Sequence, residues 1–206
     1  MKLLQPVWRL LVLLAFMSVM APGASRAADT QAEVVVRHFY TQLIDSMKQG
    51  DQLGFAGRYK KLDPAIRAAF NLPEMTRISV GSSWSDATPQ EQTQLVNAFS
   101  DLSVATYASR FADYDGEKFS VTGEMPTDNG VIVETSLTPK DSDSVELNYL
   151  MRKDDKGEYR ILDVFLNGTI SEMATRRAEF SSIARRDGIP ALVNSLGQKS
   201  KEMGPS

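Results

Sequence analysis

From Val34 onward, Val35, Phe39, Leu43 and Met47 recur at four-residue steps, with Val36, Tyr40 and Ile44 one position round. This spacing predicts an amphipathic helix with a wide apolar face, ended by Gly50. Asp63-Pro64 reads as an N-cap followed by proline at the first helical position, and Asn71 with Glu74 three residues on reads as another start, so two short helices are expected there. Thr88-Pro89-Gln90-Glu91 has the form of a capping box and opens a long helix to about Tyr114, with Leu95, Phe99, Leu102, Tyr107, Phe111 and Tyr114 along its apolar stripe. Ser82-Ser83 beside Trp84 reads as a helix end rather than a nucleophile.

Beyond Gly116 the period changes from helical to alternating. Phe119 and Val121, then Val131, Val133, Thr135 and Leu137, then Val145, Leu147, Tyr149 and Met151 fall at every second position, which predicts strands. Asp128-Asn129-Gly130, Pro139 to Asp143 and Asp154-Asp155-Lys156-Gly157 are turn-forming, so successive strands should pair antiparallel. A fourth strand, Tyr159 to Leu166, is apolar on both faces and should lie inside the sheet. After it, Thr169 and Glu172 stand at capping-box spacing ahead of a closing helix in which Met173, Arg177 and Phe180 share a face. Gly188 ends that helix, Pro190 to Leu196 allows one or two more turns, and the polar tail 198–206 is expected to be disordered. The pattern is that of an α+β fold: N-terminal helices, a four-stranded antiparallel sheet and a closing C-terminal helix, in a single domain over 28–197.

The first 27 residues read differently. Lys2 and Arg9 flank the start of an apolar run, Leu10 to Met20, too short for a bilayer span, which needs about 20 apolar residues. Pro22, Gly23 and the small residues Ala24-Ser25-Arg26-Ala27 follow, so residues 1–27 are expected to be a secretory signal peptide cleaved after Ala27, with a periplasmic product. A retained anchor is the alternative.

The chain has no cysteine. A disulfide framework, a thiol nucleophile, a Cys-ligated zinc and a lipidated cysteine are thereby excluded. Loss of Lys2, Arg9 and Arg26 with the signal would move the net charge from −3 to −6. An acidic protein lacks the basic footprint of a nucleic-acid binder, and no polybasic patch for anionic lipid is visible.

The sole histidine, His38, sits at the polar edge of the first helix and has no second histidine for a metal site. There is no Gly-rich phosphate loop, no Gly-x-Ser-x-Gly and no His-Glu-x-x-His, so neither metal nor cofactor is expected and no catalytic residue stands out. Asp163 is conspicuous in the middle of an apolar strand, where a charge needs a partner. The expectation is a buried structural ion pair with Arg177; a general base of the kind found in small cone-shaped α+β isomerases and a contact to a lipid headgroup are the alternatives.

Gly81-Ser82-Ser83-Trp84, Ala87-Thr88-Pro89-Gln90-Glu91-Gln92, Phe99, Thr106-Tyr107 and Tyr114-Asp115-Gly116-Glu117 resemble the MlaC, or toluene-tolerance, family of periplasmic lipid-binding proteins. Tyr159, Asp163-Val164, Gly168, Ser171, Arg177-x-x-Phe180 and Gly188 follow that family's order and spacing. Leu166 to Glu172 and Arg176 to Phe180 look more like its hopanoid-associated HpnM branch. Arg176 stands where the phospholipid-carrying branch tends to have an aromatic, and Tyr159 where it tends to have tryptophan.

The resemblance implies a curved sheet and helices around an apolar pocket for a lipid, hopanoid or phospholipid. It also implies a non-enzymatic shuttle between an inner-membrane lipid transporter and a transient outer-membrane partner. The residues then expected to contact lipid are Leu95, Phe99, Leu102, Val131, Val133, Leu147, Tyr149, Leu162, Val164, Met173 and Phe180. Their pattern alone would serve a filled core equally well. A small α+β isomerase or hydrolase and a structural periplasmic protein are the other classes to separate from a carrier.

Overall fold

The computed structural model describes residues 30–204; the expected signal peptide, with its cleavage after Ala27, lies outside the described residues. Helix α1 (Gln31–Lys48) starts earlier than its apolar period, because the Thr30 hydroxyl accepts from the Glu33 amide at 3.2 Å and caps it. Gln49, not the expected Gly50, is the C-cap of this helix, and Gly50 has another part. It opens α2 (Gly50–Ala69), and a Cβ at position 50 would stand 1.8 Å from the Ala112 carbonyl oxygen, so the backbone approaches there as only glycine allows.

The helix start expected at Asp63-Pro64 is not one. Helix α2 runs through Pro64 and breaks instead at Gly54, whose φ of 57° lies in the left-handed region. Leu62 and Ile66, both fully buried, hold the helix on either side of the proline, and Asp63 pairs with Arg67 at 2.7 Å rather than capping. Packing outweighs the missing N–H. The other starts appear where the sequence puts them: α3 (Leu72–Val80) is capped by Asn71, and α5 (Pro89–Arg110), after the short α4 (Ser83–Asp86), carries the complete Thr88–Glu91 capping box.

The sheet has five antiparallel strands in chain order: β1 (Lys118–Thr127), β2 (Gly130–Thr138), β3 (Val145–Lys153), β4 (Tyr159–Leu166) and the two-residue β5 (Ile170–Ser171). Sequence pattern gave four, since two residues are too few to show a period. Register shifts at Val121/Gly123 in β1, and opposite Leu150/Met151 of β3, where Leu162 of β4 is the extra residue, break the regular pairing.

Strand β4 is buried on both faces from Ile161 to Val164. Its outer edge is closed piecewise: Phe165 and Leu166 pair with β5, and the Ile161 carbonyl accepts from the Asn71 amide at 2.9 Å at the α2–α3 junction. Helix α6 (Glu172–Asp187) is capped by Ser171, which accepts from the Ala174 amide at 2.8 Å, in place of the expected Thr169. Helix α7 (Ile189–Glu202) buries Leu192 and Leu196 against α5 and continues through Gln198 to Glu202, where a disordered tail was expected. Among the described residues no helix is long and apolar enough to cross a membrane.

Candidate functional site: an apolar cavity with a charged mouth

A cavity of about 90 Å³ lies between the helical layer and the sheet. Helices α2 and α3 supply Ile66, Phe70 and Met75, and the sheet supplies Leu147, Tyr149, Val164 and Leu166. The last two turns of α5 supply Ser103, Thr106, Tyr107 and Arg110, followed by Phe111. Ser103 and Thr106 are apolar in effect: their hydroxyls donate to the Phe99 and Leu102 carbonyls of their own helix, at 2.9 and 2.7 Å.

Three charged residues line the cavity, Arg110 at the end of α5 with Glu172 and Arg176 in the first turns of α6. Glu172 reaches both arginines, at 3.5 Å to Arg110 Nη1 and 3.4 Å to Arg176 Nε. Arg176 is the more fixed of the two, since its Nη1 donates to Ser103 Oγ at 3.3 Å and its guanidinium lies 5.0 Å from the centre of the Phe99 ring.

Of the residues expected to contact lipid, Leu147, Tyr149 and Val164 line this cavity. Leu95, Phe99, Leu102, Val133, Leu162, Met173 and Phe180 are buried in the surrounding core, and Val131 is half-buried against it. The expected set also left out the cavity residues Ile66, Phe70 and Met75 of α2 and α3 and Tyr107, Phe111 and Leu166, and a search for apolar periodicity passes over Ser103, Thr106 and the arginines. Arg176 did carry a signal, as a departure from the pattern of the phospholipid-carrying branch.

Asp163 is buried as expected, but it does not pair with Arg177. Its carboxylate accepts from the Val164 amide at 2.7 Å, the Met173 amide at 3.0 Å and the Ser171 hydroxyl at 2.5 Å. The negative charge sits against the amides that open α6, where the helix end favours an anion. Arg177 is exposed. Its Nη2 lies instead beside Gly81, which follows α3.

Behind the cavity wall the β2–β3 ladder is interrupted between the Val133↔Tyr149 and Ser136↔Glu146 pairs, and side chains fill the gap. The Thr135 amide donates to Asn148 Oδ1 at 3.0 Å, while its hydroxyl donates to the Leu147 carbonyl. That leaves Thr135 Oγ1 to accept from the Tyr40 hydroxyl at 2.6 Å, and the Tyr149 ring meets the Tyr40 ring edge-on at 5.8 Å. Burial pushes the Tyr40 phenol up to about 12 and Tyr149 well above the usual tyrosine value. Both groups titrate lower in the unfolded chain, so their contribution is intact below about pH 10 and is lost as pH rises through the folded-state values. Alkaline titration should therefore show tyrosinate absorbance from these two residues only together with loss of circular dichroism. Their ionisation in a folded protein would mean that the network is open to water.

Among the described residues no group of His, Asp or Glu side chains could hold a metal ion, and His38 is exposed. Helices and a bulged antiparallel sheet enclosing an apolar cavity with a charged mouth define a ligand container of the α+β class. Residues 37–198 match the family described as MlaC protein, and the chain belongs to that family. In fold it is similar to the phospholipid-binding protein from Ralstonia solanacearum, solved in complex with a phospholipid. The TM-score is 0.72 at 22% sequence identity, over 85% of this chain and 99% of that one. No curated protein matches the sequence.

Proposed function

We propose that this protein is a periplasmic lipid carrier that takes lipid tails into the cavity between helices and sheet. It would pass the lipid between an inner-membrane transporter and an outer-membrane partner, with no catalytic step of its own. The observation that carries this reading is the apolar cavity opening at a charged mouth, in a chain of the MlaC family. The Ralstonia protein's phospholipid complex supports it by analogy of fold.

The energetics suit a carrier. Each methylene taken from water contributes about 0.8 kcal/mol, so a sixteen-carbon chain contributes roughly 10 kcal/mol when fully enclosed. Ligand pockets usually measure about 300–1,000 Å³, so a cavity of about 90 Å³ must widen severalfold on loading. Helices and sheet then part along the apolar seam lined by Ile66, Phe70 and Tyr149.

The lipid is a phospholipid or a hopanoid. Tyr159 departs from the phospholipid-carrying pattern toward the hopanoid-associated branch, while Arg176, the other departure, sets a cation at the cavity mouth that suits an anionic headgroup. Protein purified from its native host should release lipid on organic extraction, at a substantial fraction of one molecule per chain, and mass spectrometry will identify it. Protein that yields none, and takes none from vesicles, would return the fold to a structural role.

A further inference from the structure

We infer that Arg110 and Arg176 form a subsite for the phosphate of a lipid headgroup, and that Glu172 occupies it as an internal substitute until lipid arrives. The inference rests on the carrier reading and adds to it the residues that would hold the headgroup.

Three observations converge on it. Among the described residues the charged lining of the cavity is confined to these three, and two guanidinium groups against one carboxylate leave an excess positive charge in an otherwise acidic chain. The contacts Glu172 makes are long, 3.5 and 3.4 Å, against about 2.7–2.9 Å for a well-made charged hydrogen bond. One carboxylate on a short side chain reaches toward both arginines and bonds closely to neither. Arg176 is already oriented by Ser103 and the Phe99 ring, so little of its freedom remains to be lost on binding.

A phosphodiester has more acceptor oxygens than Glu172 and is not tied to α6. Seated between the arginines, it can take paired hydrogen bonds from a guanidinium fork and free Glu172 to turn to solvent. Tails in the cavity and phosphate at its mouth would then be read by one continuous site.

The test offers the purified protein phosphatidylcholine vesicles containing equal amounts of dioleoylphosphatidylglycerol and dioleoylglycerol, which share tails and differ in the phosphate. Native mass spectrometry reads the ratio of the two lipids bound. Wild type should prefer phosphatidylglycerol by about tenfold or more, the effect of one charged hydrogen bond. Arg176→Gln and Arg110→Gln should each bring the ratio toward one, and Arg176→Lys should keep part of the preference. Arg110 is 60% exposed, so its replacement tests the subsite without threatening the fold.

A ratio near one in wild type, or an unchanged preference in both glutamine variants, overturns the subsite and leaves the carrier standing. Uptake of neither lipid by wild type overturns the carrier reading itself. A parallel melt in inorganic phosphate separates a headgroup from a free anion. Stabilisation by phosphate that Arg176→Gln removes, with the lipid ratio unaltered, would make this a free-anion site and overturn the assignment to lipid.

Discussion

Asp163→Ala should lower stability by about 3 kcal/mol, because it strands the buried amides of Val164 and Met173 and takes the acceptor from the Ser171 hydroxyl. For a domain of this size that corresponds to a fall in Tm of roughly 10 °C. Asp163→Asn keeps one acceptor oxygen and should cost only about 1 kcal/mol. Arg177→Met should fall within about 0.5 kcal/mol of wild type, as usual for an exposed side chain that holds no buried partner. Thermal melts of the three variants discriminate between two accounts of one carboxylate. If Arg177→Met were as damaging as Asp163→Ala, the two charges would be paired after all, and the helix-end account of Asp163 would be wrong.

Phe99→Ala should cost more, about 3–5 kcal/mol. The ring is fully buried, meets Phe180 edge-on at 6.3 Å and supports the Arg176 guanidinium, yet it does not line the cavity. Leu147→Ala, at a residue that does line it, enlarges a space already present and should cost about 2 kcal/mol, the low end for such truncations. Denaturant unfolding of both measures the difference. Near-wild-type stability for Phe99→Ala, with lipid uptake lost, would move that residue from the core to the pocket wall.

The contrast between Phe99 and Leu147 marks how far apolar periodicity can be followed. Both obey their element's period, because a strand or helix needs an apolar face whether the neighbour is a side chain or a ligand. Which of the two faces a void depends on how the layers fail to fill the space between them. That is a property of several elements together, and no local window contains it. Ser103 and Thr106 make the same point from the other side, since back-bonding to their own helix lets hydroxyl residues line an apolar space.

Helix starts at Asn71 and Thr88, the change of period after Gly116, the order of the four longer strands and the burial of Asp163 are written locally, in caps, turns and alternation that act within a few residues. The resemblance of residues from Gly81 to Gly188 to the MlaC family was legible there too, and the match over 37–198 bears it out. Tertiary structure decided what local rules leave open. Leu62 and Ile66 carried α2 through Pro64, the Asn71 amide and a two-residue strand closed the edge of β4, and α6 brought its own amides and Ser171 to Asp163 before any arginine could reach it. It also brought Arg110, at the end of one helix, to the same opening as Arg176, 66 positions later near the start of another. Packing energy and long-range hydrogen bonds depend on which elements meet, and that choice is made by the folded chain as a whole.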